Sequence, residues 1–277
     1  MAGTDQLAIV RLGADDALAG LALSTEAQWN QNEADWRFFL NEGIVFGVRD
    51  HDDRLIASAA LLPYASGNAW ISMVLVTQNW RRQGLATKLI DRCLEVAAKS
   101  DLTTWLDATP AGAAVYGPLG FRPILELRRL RLENFAPMKT ETPELSLACD
   151  LTQFSTSDSR AMGFDRSALL TELGGRPGSR LLSNDHVMAL VRDGRKARHI
   201  GPLFADDPDR ALAMVHAIAQ SETRPLLIDT VSSQAEFLQG LTGSGWNIER
   251  PFQRMRFGRS TAKPAELPFA VAGPEYG

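Results

Sequence analysis

A mixed α/β fold in two successive domains, the first complete and the second divergent, is what this sequence predicts. Three observations predict it. The 277-residue chain is long for one simple domain and comfortable for two. Short β-branched runs alternate with amphipathic helical stretches along its length. The order of those elements then repeats loosely after a polar, proline-bracketed stretch at 134–143, read as a linker.

Taken in order, residues 7–12 predict a strand, 14–27 an Ala- and Leu-rich helix, and 33–41 a helix with Trp36, Phe39 and Leu40 at helical spacing. Strands at 43–48 and 55–62 flank the Asp50-His51-Asp52-Asp53 turn. The turn at Ser66-Gly67-Asn68 leads to the apolar run 70–76, short enough to be a buried strand. That run passes through 77–80 into a helix where Leu85, Leu89, Ile90, Cys93, Leu94 and Ala97 share one face. A strand at 103–107, a loop and short helix at 110–117 and two strands within 121–133 complete a first domain at 1–133.

The second domain, 144–258, reads as a strand at 145–149, helical stretches at 157–162 and 165–173, and paired strands at 186–192 and 197–204. A helix at 208–220 comes next, with Asp207 as N-cap and Pro208 at its first position. A strand at 226–230, a helix at 234–241 and strands at 246–248 and 252–257 end it, leaving 259–277 as a tail.

Composition excludes several classes. With 45% hydrophobic and 22% charged residues the chain is an ordinary globular protein. A net charge of −4 gives no electrostatic case for nucleic acid. No apolar run reaches the ~18 residues of a membrane span, and no signal-peptide pattern opens the chain. Cys93 and Cys149 make no disulfide framework, and Cys93 on an apolar helix face reads as an inert thiol. The four histidines are dispersed without metal spacing, so no metal is expected. A cytoplasmic enzyme fits, without a membrane or nucleic-acid partner; an oligomer is compatible with the sequence.

The chemistry concentrates where the strand at 70–76 enters the next helix. The first N–H groups of that helix have no intrahelical acceptor and lie at the positive end of its dipole, which makes an anion site. Gly84 and Ala86 have little or no side chain, so a phosphate can approach the backbone, and Arg81 and Arg82 add charge at the same mouth. These residues predict a site for a phosphorylated ligand. At the corresponding mouth of the second half stand Asp206, Asp207 and Asp209, which repel a diphosphate.

The segment 76–86, with Arg81-x-x-Gly84-x-Ala86 at its centre, resembles the acyl-coenzyme A pyrophosphate loop of the GNAT N-acyltransferase superfamily. A second block, from Leu106-Asp107-Ala108-Thr109 through Tyr116 to Leu119-Gly120-Phe121, is similar to the later GNAT motif, and the whole chain resembles bacterial tandem GNAT proteins. The resemblance covers 1–133 by motif and the remainder by element order alone. It implies acetyl-coenzyme A, or another acyl-coenzyme A, as cosubstrate and a primary amine of a small molecule or peptide as acceptor.

It also implies roles. The diphosphate falls to backbone N–H groups from Arg82 through Gln83, Gly84, Leu85 and Ala86 to Thr87. Val74, Leu75 and Val76 take the pantetheine arm and supply an oxyanion donor where such strands splay or bulge. Thr109 belongs to the cofactor set. Tyr116 is the candidate general acid, since a phenol near pKa 10 stays protonated at neutral pH and can donate to a thiolate; the alternative is packing with a tethered hydroxyl. Trp29, Asn30 and Gln31, between the first two helices, are read as acceptor contacts. Asp107 is a further candidate, open between acceptor contact, general base and turn cap. Glu26, Glu33 and Asp35 are either pocket carboxylates or a solvated face.

Two departures stand out: Arg82 where the family commonly has Gly, and Thr109 where many members carry Asn. No Glu stands on the central strand. Two rival readings therefore stay open, a catalytically silent acyl-coenzyme A sensor and an interaction protein.

Overall fold

In a computed structural model, which describes residues 7–134, 150–184, 186–259, 264 and 266–277, the chain sorts into two units. The first gathers Met1–Leu106, Ala114–Arg122 and Arg256–Ser260; the second gathers Asp107–Ala113, Pro123–Met255 and Thr261–Gly277.

The first unit runs β1 (Ile9–Arg11), α1 (Ala17–Glu26), α2 (Glu33–Glu42), β2 (Ile44–Arg49), β3 (Leu55–Tyr64), β4 (Asn68–Val76), α3 (Leu85–Lys99) and β5 (Thr103–Ala108). The strands lie in the order β1-β2-β3-β4-β5. The first three pairings are antiparallel and β4 runs parallel to β5. β3 is buried at every position from Leu55 to Leu62, as expected of a strand covered on both faces, with Ser58 the one polar residue in the run. A capping box starts α2, with Asn32 Oδ1 accepting from Asp35 N at 3.1 Å and Asp35 Oδ2 accepting from Asn32 N at 2.8 Å. α3 forms because Leu85, Leu89, Ile90, Cys93 and Ala97 make one buried stripe.

After α4 (Pro110–Tyr116) comes β6 (Arg122–Leu132), one long strand where the sequence suggested two. The second unit continues with α5 (Leu151–Met162), α6 (Ser167–Gly175), β7 (Arg180–Asn184), β8 (Val187–Arg192), β9 (Arg198–Ala205), α7 (Pro208–Ser221), β10 (Leu226–Val231), α8 (Ala235–Gly243) and β11 (Asn247–Phe257). Its strands lie in the order β11-β6-β10-β9-β8-β7. β6 pairs antiparallel with β10, and β9 runs parallel to β10. Its core gathers Leu130, Val191, Ile200, Met214, Ile228, Phe237 and Trp246 around the faces of α7 and α8.

Several expectations shift here. β7 was not expected, α5 begins at Leu151 rather than 157, and β11 is continuous. The region read as a tail contributes core: Phe269, Ala270, Val271, Ala272 and Tyr276 are all buried. The expected strand at 145–149, Cys149 and the linker beyond Asn134 lie outside the described residues.

β6 and β11 are alike in a way that their sequences barely advertise. Each comes after a Gly-aromatic pair, Gly120-Phe121 and Gly245-Trp246, and each carries an Arg-apolar-Arg triplet nine residues after that glycine, Arg129-Leu130-Arg131 and Arg254-Met255-Arg256. Their burial alternates in step along ten of eleven positions.

Candidate active site

Local backbone geometry builds the mouth of α3. Gly84 is its N-cap at φ +80°, without any side-chain cap, and no acidic residue stands in the first turn. A Cβ added to Gly84 would meet nothing within 4 Å, so glycine serves the backbone angle and not the space. The N–H groups of Leu85, Ala86 and Thr87 therefore open outward without intrahelical acceptors. Arg81, Arg82, Gln83 and Gly84 are all exposed. Arg81 Nε donates to Val76 O at 3.1 Å and Gln83 Nε2 to Asn79 O at 3.2 Å, which fasten the loop. Arg82, at φ +60°, has no ion pair or hydrogen bond from its side chain to any described residue. One arginine holds the loop and the other is a cation without a partner among the described residues.

β4 opens beside this mouth. Ser58 pairs with Leu75 and Ala60 with Ser72, so a single β3 residue faces Met73 and Val74 together. This is a bulge, with Met73 at φ +50° and its carbonyl accepting from Ser58 Oγ at 2.8 Å. On its other side β4 pairs with β5 only at Asn68, Ala69 and Trp70. The backbone from Ile71 to Val76 has no ladder partner there. The expected segment 74–76 thus lies on the unpaired stretch that comes after the bulge.

Tyr116 ends α4 and is 9% exposed. Its ring lies 6.0 Å from that of Phe121, which in turn lies 5.5 Å from Phe257. Its hydroxyl makes no hydrogen bond to any described residue and is not among the fully buried unpartnered atoms. The alternative of a tethered hydroxyl finds no tether among the described residues. Burial, with the Cys93 sulfur adding to it, pushes the phenol up to about 12. Burial likewise pushes the Cys93 thiol up to about 12, as expected of an inert core cysteine.

The turn at Trp29-Asn30-Gln31 connects α1 to α2. Asn30 and Gln31 are buried at 7% and 4% exposure, and Trp29 is half-buried. Gln31 Oε1 is a buried acceptor with no donor among the described residues. Of the carboxylates in this region, Asp35 is the cap already described and Glu33 pairs with Arg37. Glu26 Oε1 accepts from Gln78 N at 2.7 Å, and Glu26 lines a cleft of about 480 Å³ with Arg54, Thr77, Asn79 and Trp80.

Asp107 needs correction. Its side chain is fully buried, and both oxygens are taken by Arg254, Nε to Oδ1 and Nη2 to Oδ2, each at 2.8 Å. Burial pushes this carboxyl up, against the pull of Arg254. So enclosed, Asp107 serves as one half of a buried ion pair. Thr109 Oγ1 accepts from Gly112 N at 3.2 Å, a local cap for α4. Arg254 was not among the expected residues; the paired Arg-apolar-Arg triplets were the available signal.

The mouth of α7 contrasts with that of α3. Asp207 closes it, its Oδ1 accepting from Arg210 N at 2.8 Å. Asp206 lies against His186 and Arg210. The anion-binding end of this helix is already satisfied by a carboxylate of the chain.

Among the described residues no helix is long and apolar enough to cross a membrane, and no group of three or more His, Cys, Asp or Glu is placed to hold a metal.

A bulged strand running into an uncapped, arginine-flanked helix defines a protein of the acyltransferase class, and a second, closed version of that strand and helix lies further along the chain. Residues 16–121 match the model of the acetyltransferase (GNAT) family, and residues 155–270 match that of an acetyltransferase (GNAT) domain. The chain belongs to the GNAT family and is a tandem GNAT acetyltransferase. Its fold is similar to that of a presumptive acetyltransferase from Pyrococcus horikoshii, at 20% identity and TM-score 0.81 over 97% of this chain and 95% of that one. It also resembles a GCN5-related N-acetyltransferase from Sphaerobacter thermophilus, at 15% identity and TM-score 0.67 over 92% and 96%. A tandem GNAT protein from the clavulanic acid biosynthesis pathway matches at 18% identity and TM-score 0.66 over 92% and 100%. A search of curated proteins gave no significant match.

Proposed function

We propose that the first unit transfers an acyl group, acetyl in the simplest case, from acyl-coenzyme A to a primary amine of a small molecule or peptide, directly within a ternary complex. The observation that carries this reading is the uncapped N-terminus of α3, with Arg82, unpartnered among the described residues, beside it, after the stretch of β4 that β5 leaves unpaired. Donor groups and a free cation there suit a diphosphate. Thr109, engaged in its local cap, keeps a place in the cofactor set on the resemblance alone.

The N–H groups from Arg82 to Thr87 hold the diphosphate, and the backbone of Val74 to Val76 pairs with the amide-bearing arm. An N–H released by the bulge stabilises the oxyanion as the amine nitrogen bonds to the thioester carbonyl carbon. The C–S bond then breaks as the oxyanion collapses; the Tyr116 hydroxyl gives its proton to the departing sulfur and regains one from the nitrogen, which sheds its surplus proton as it becomes the amide. The ammonium must lose a proton before attack. Of Glu26, Glu33 and Asp35, Glu26 lines an open cleft, which Asp50 and Asp53 also line, and this reading takes Glu26 as the base. Gln31 Oε1, buried and without a donor among the described residues, suits an acceptor N–H.

One observation favours a second reading, an acyl-coenzyme A sensor or interaction protein. Asp107, the acid considered for the base, is taken up by structural bonds, as is Asp35. Coenzyme A release across a panel of amines, amino acids and peptides separates the two. Release with at least one acceptor is expected; tight binding with no release on any acceptor would favour the sensor.

A further inference from the structure

β9 and β10 repeat the geometry of β4 and β5. They pair in parallel at only three positions, Arg198–Leu226, His199–Leu227 and Ile200–Ile228. Just beyond, β9 carries one residue too many against β8: Ala189 to Val191 spans Leu203 to Ile200. β4 does the same against β3 just beyond its own three-position ladder, and each strand then leads to a helix.

The difference lies in the gap. Between β9 and β10 runs the segment 269–272, bridging antiparallel to both strands through Ala270. Phe269 N donates to Leu203 O at 2.9 Å and Leu203 N to Ala270 O at 3.0 Å. On the other side Val271 N donates to Asp229 O at 3.0 Å and Val231 N to Phe269 O at 3.3 Å. Gly201 makes room, since a Cβ there would stand 2.0 Å from Val271 O. Buried Arg192 anchors the end of the segment, donating to Ala272 O at 2.9 Å and to Glu275 Oε1 at 2.7 Å. Buried Arg166 donates to Tyr276 O and Gly277 O at 2.8 and 2.6 Å.

We infer that the β9–β10 gap is a latent pantetheine-binding groove that residues 269–272 occupy from within the same chain, so that the protein takes acyl-coenzyme A at one site. The analogy with the first unit rests on the function proposed above; the occupancy of the gap does not. The segment satisfies the same kind of released strand-edge groups that an amide-bearing arm would satisfy. The Asp207 cap independently closes the place where a diphosphate would sit.

S-acetylpantetheine, which lacks the diphosphate that Asp206 and Asp207 repel, is the probe. Hydrogen exchange is monitored at the amides of Leu203 and Val231 in the full chain and in a chain ending at residue 266. In the full chain both amides are protected and the probe changes nothing. In the shortened chain both lose protection and the probe restores it, while the amides of α7 stay protected throughout. Protection that survives shortening, or fails to return with saturating probe, overturns the inference. If the shortened chain does not fold, Val271→Pro in the full chain removes the bond to Asp229 and carries the same measurement. Calorimetry of the full chain with acetyl-coenzyme A gives one site; two sites would also overturn it. No binding at all would sink the proposed function while the exchange experiment still decides the groove.

Discussion

Arg254 holds Asp107 in the same bidentate manner in which Arg129 holds Asp229, Nε to one carboxylate oxygen and Nη2 to the other, at 2.8 to 2.9 Å. Each arginine opens the Arg-apolar-Arg triplet of its strand, and each acid stands on a strand that parallels its neighbour over only three positions. Removing one partner of such a pair leaves a buried charge uncompensated, at a cost of about 3–5 kcal/mol. Asp107→Ala is expected to lower the denaturant midpoint by a corresponding amount. Turnover per folded molecule is expected to stay close to that of the parent, measured at a temperature where both are folded. A selective collapse of turnover with unchanged stability would return Asp107 to catalysis.

Tyr116 makes the opposite prediction. Its hydroxyl holds no partner among the described residues, so Tyr116→Phe should change stability little. Loss of a positioned acid should lower kcat on the order of 100-fold, with the KM for acetyl-coenzyme A nearly unchanged. Because burial pushes the phenol up to about 12, the hydroxyl stays protonated through pH 10. The parent enzyme should then show no alkaline decline assignable to this group below that pH. Unchanged kcat in the variant ends its role.

Arg82 sits at φ +60°, which costs a residue with a side chain about 1–2 kcal/mol. Glycine at this position would relieve that strain and delete the free cation at the same time. Arg82→Gly is therefore expected to be as stable as the parent or more so, and to bind acetyl-coenzyme A more weakly. Because a guanidinium–phosphate contact is partly screened by salt, the difference should shrink at high ionic strength. Equal affinity at low salt would show that the cation does not meet phosphate.

The mouth of α3 was legible in the sequence because everything that builds it is local. A glycine before an amphipathic stripe, after an apolar strand, fixes both the helix start and its exposed N–H groups. The Asp207 and Pro208 start of α7 was legible for the same reason. What escaped depends on partners far along the chain. Nothing near 122–132 says that this strand pairs with β10, and nothing near Asp107 announces Arg254. The segment 269–272 lies in a Pro- and Gly-containing stretch with no helical or alternating pattern, so it looked like a tail. Its burial comes from the gap that β9 and β10 leave and from partners distant in sequence, Phe237 against Phe269 and Leu127 and Phe252 against Val271.

The buried histidines of the second unit make stability depend on pH. His199 Nε2 lies 2.8 Å from Asp229 Oδ2. Burial and the nearby Arg192 charge outweigh Asp229 and hold its imidazole below the usual range. Burial holds that of His216 down as well. A depressed folded-state value means that the unfolded chain takes up the proton first as pH falls. The stability these groups contribute is present above about pH 6.5 and is lost on acidification below it, at up to about 1.4 kcal/mol per pH unit for each proton. Asp229, held low by Arg129 and His199 against its own burial, adds stability that fades only below the ordinary carboxylate range, so it does not contribute in this window. Thermal unfolding from pH 7.5 to 5.5 should therefore show a falling Tm, and His199→Gln should flatten the slope. A parent Tm that is level across this range, or a variant with the parent's slope, would remove His199 as the cause.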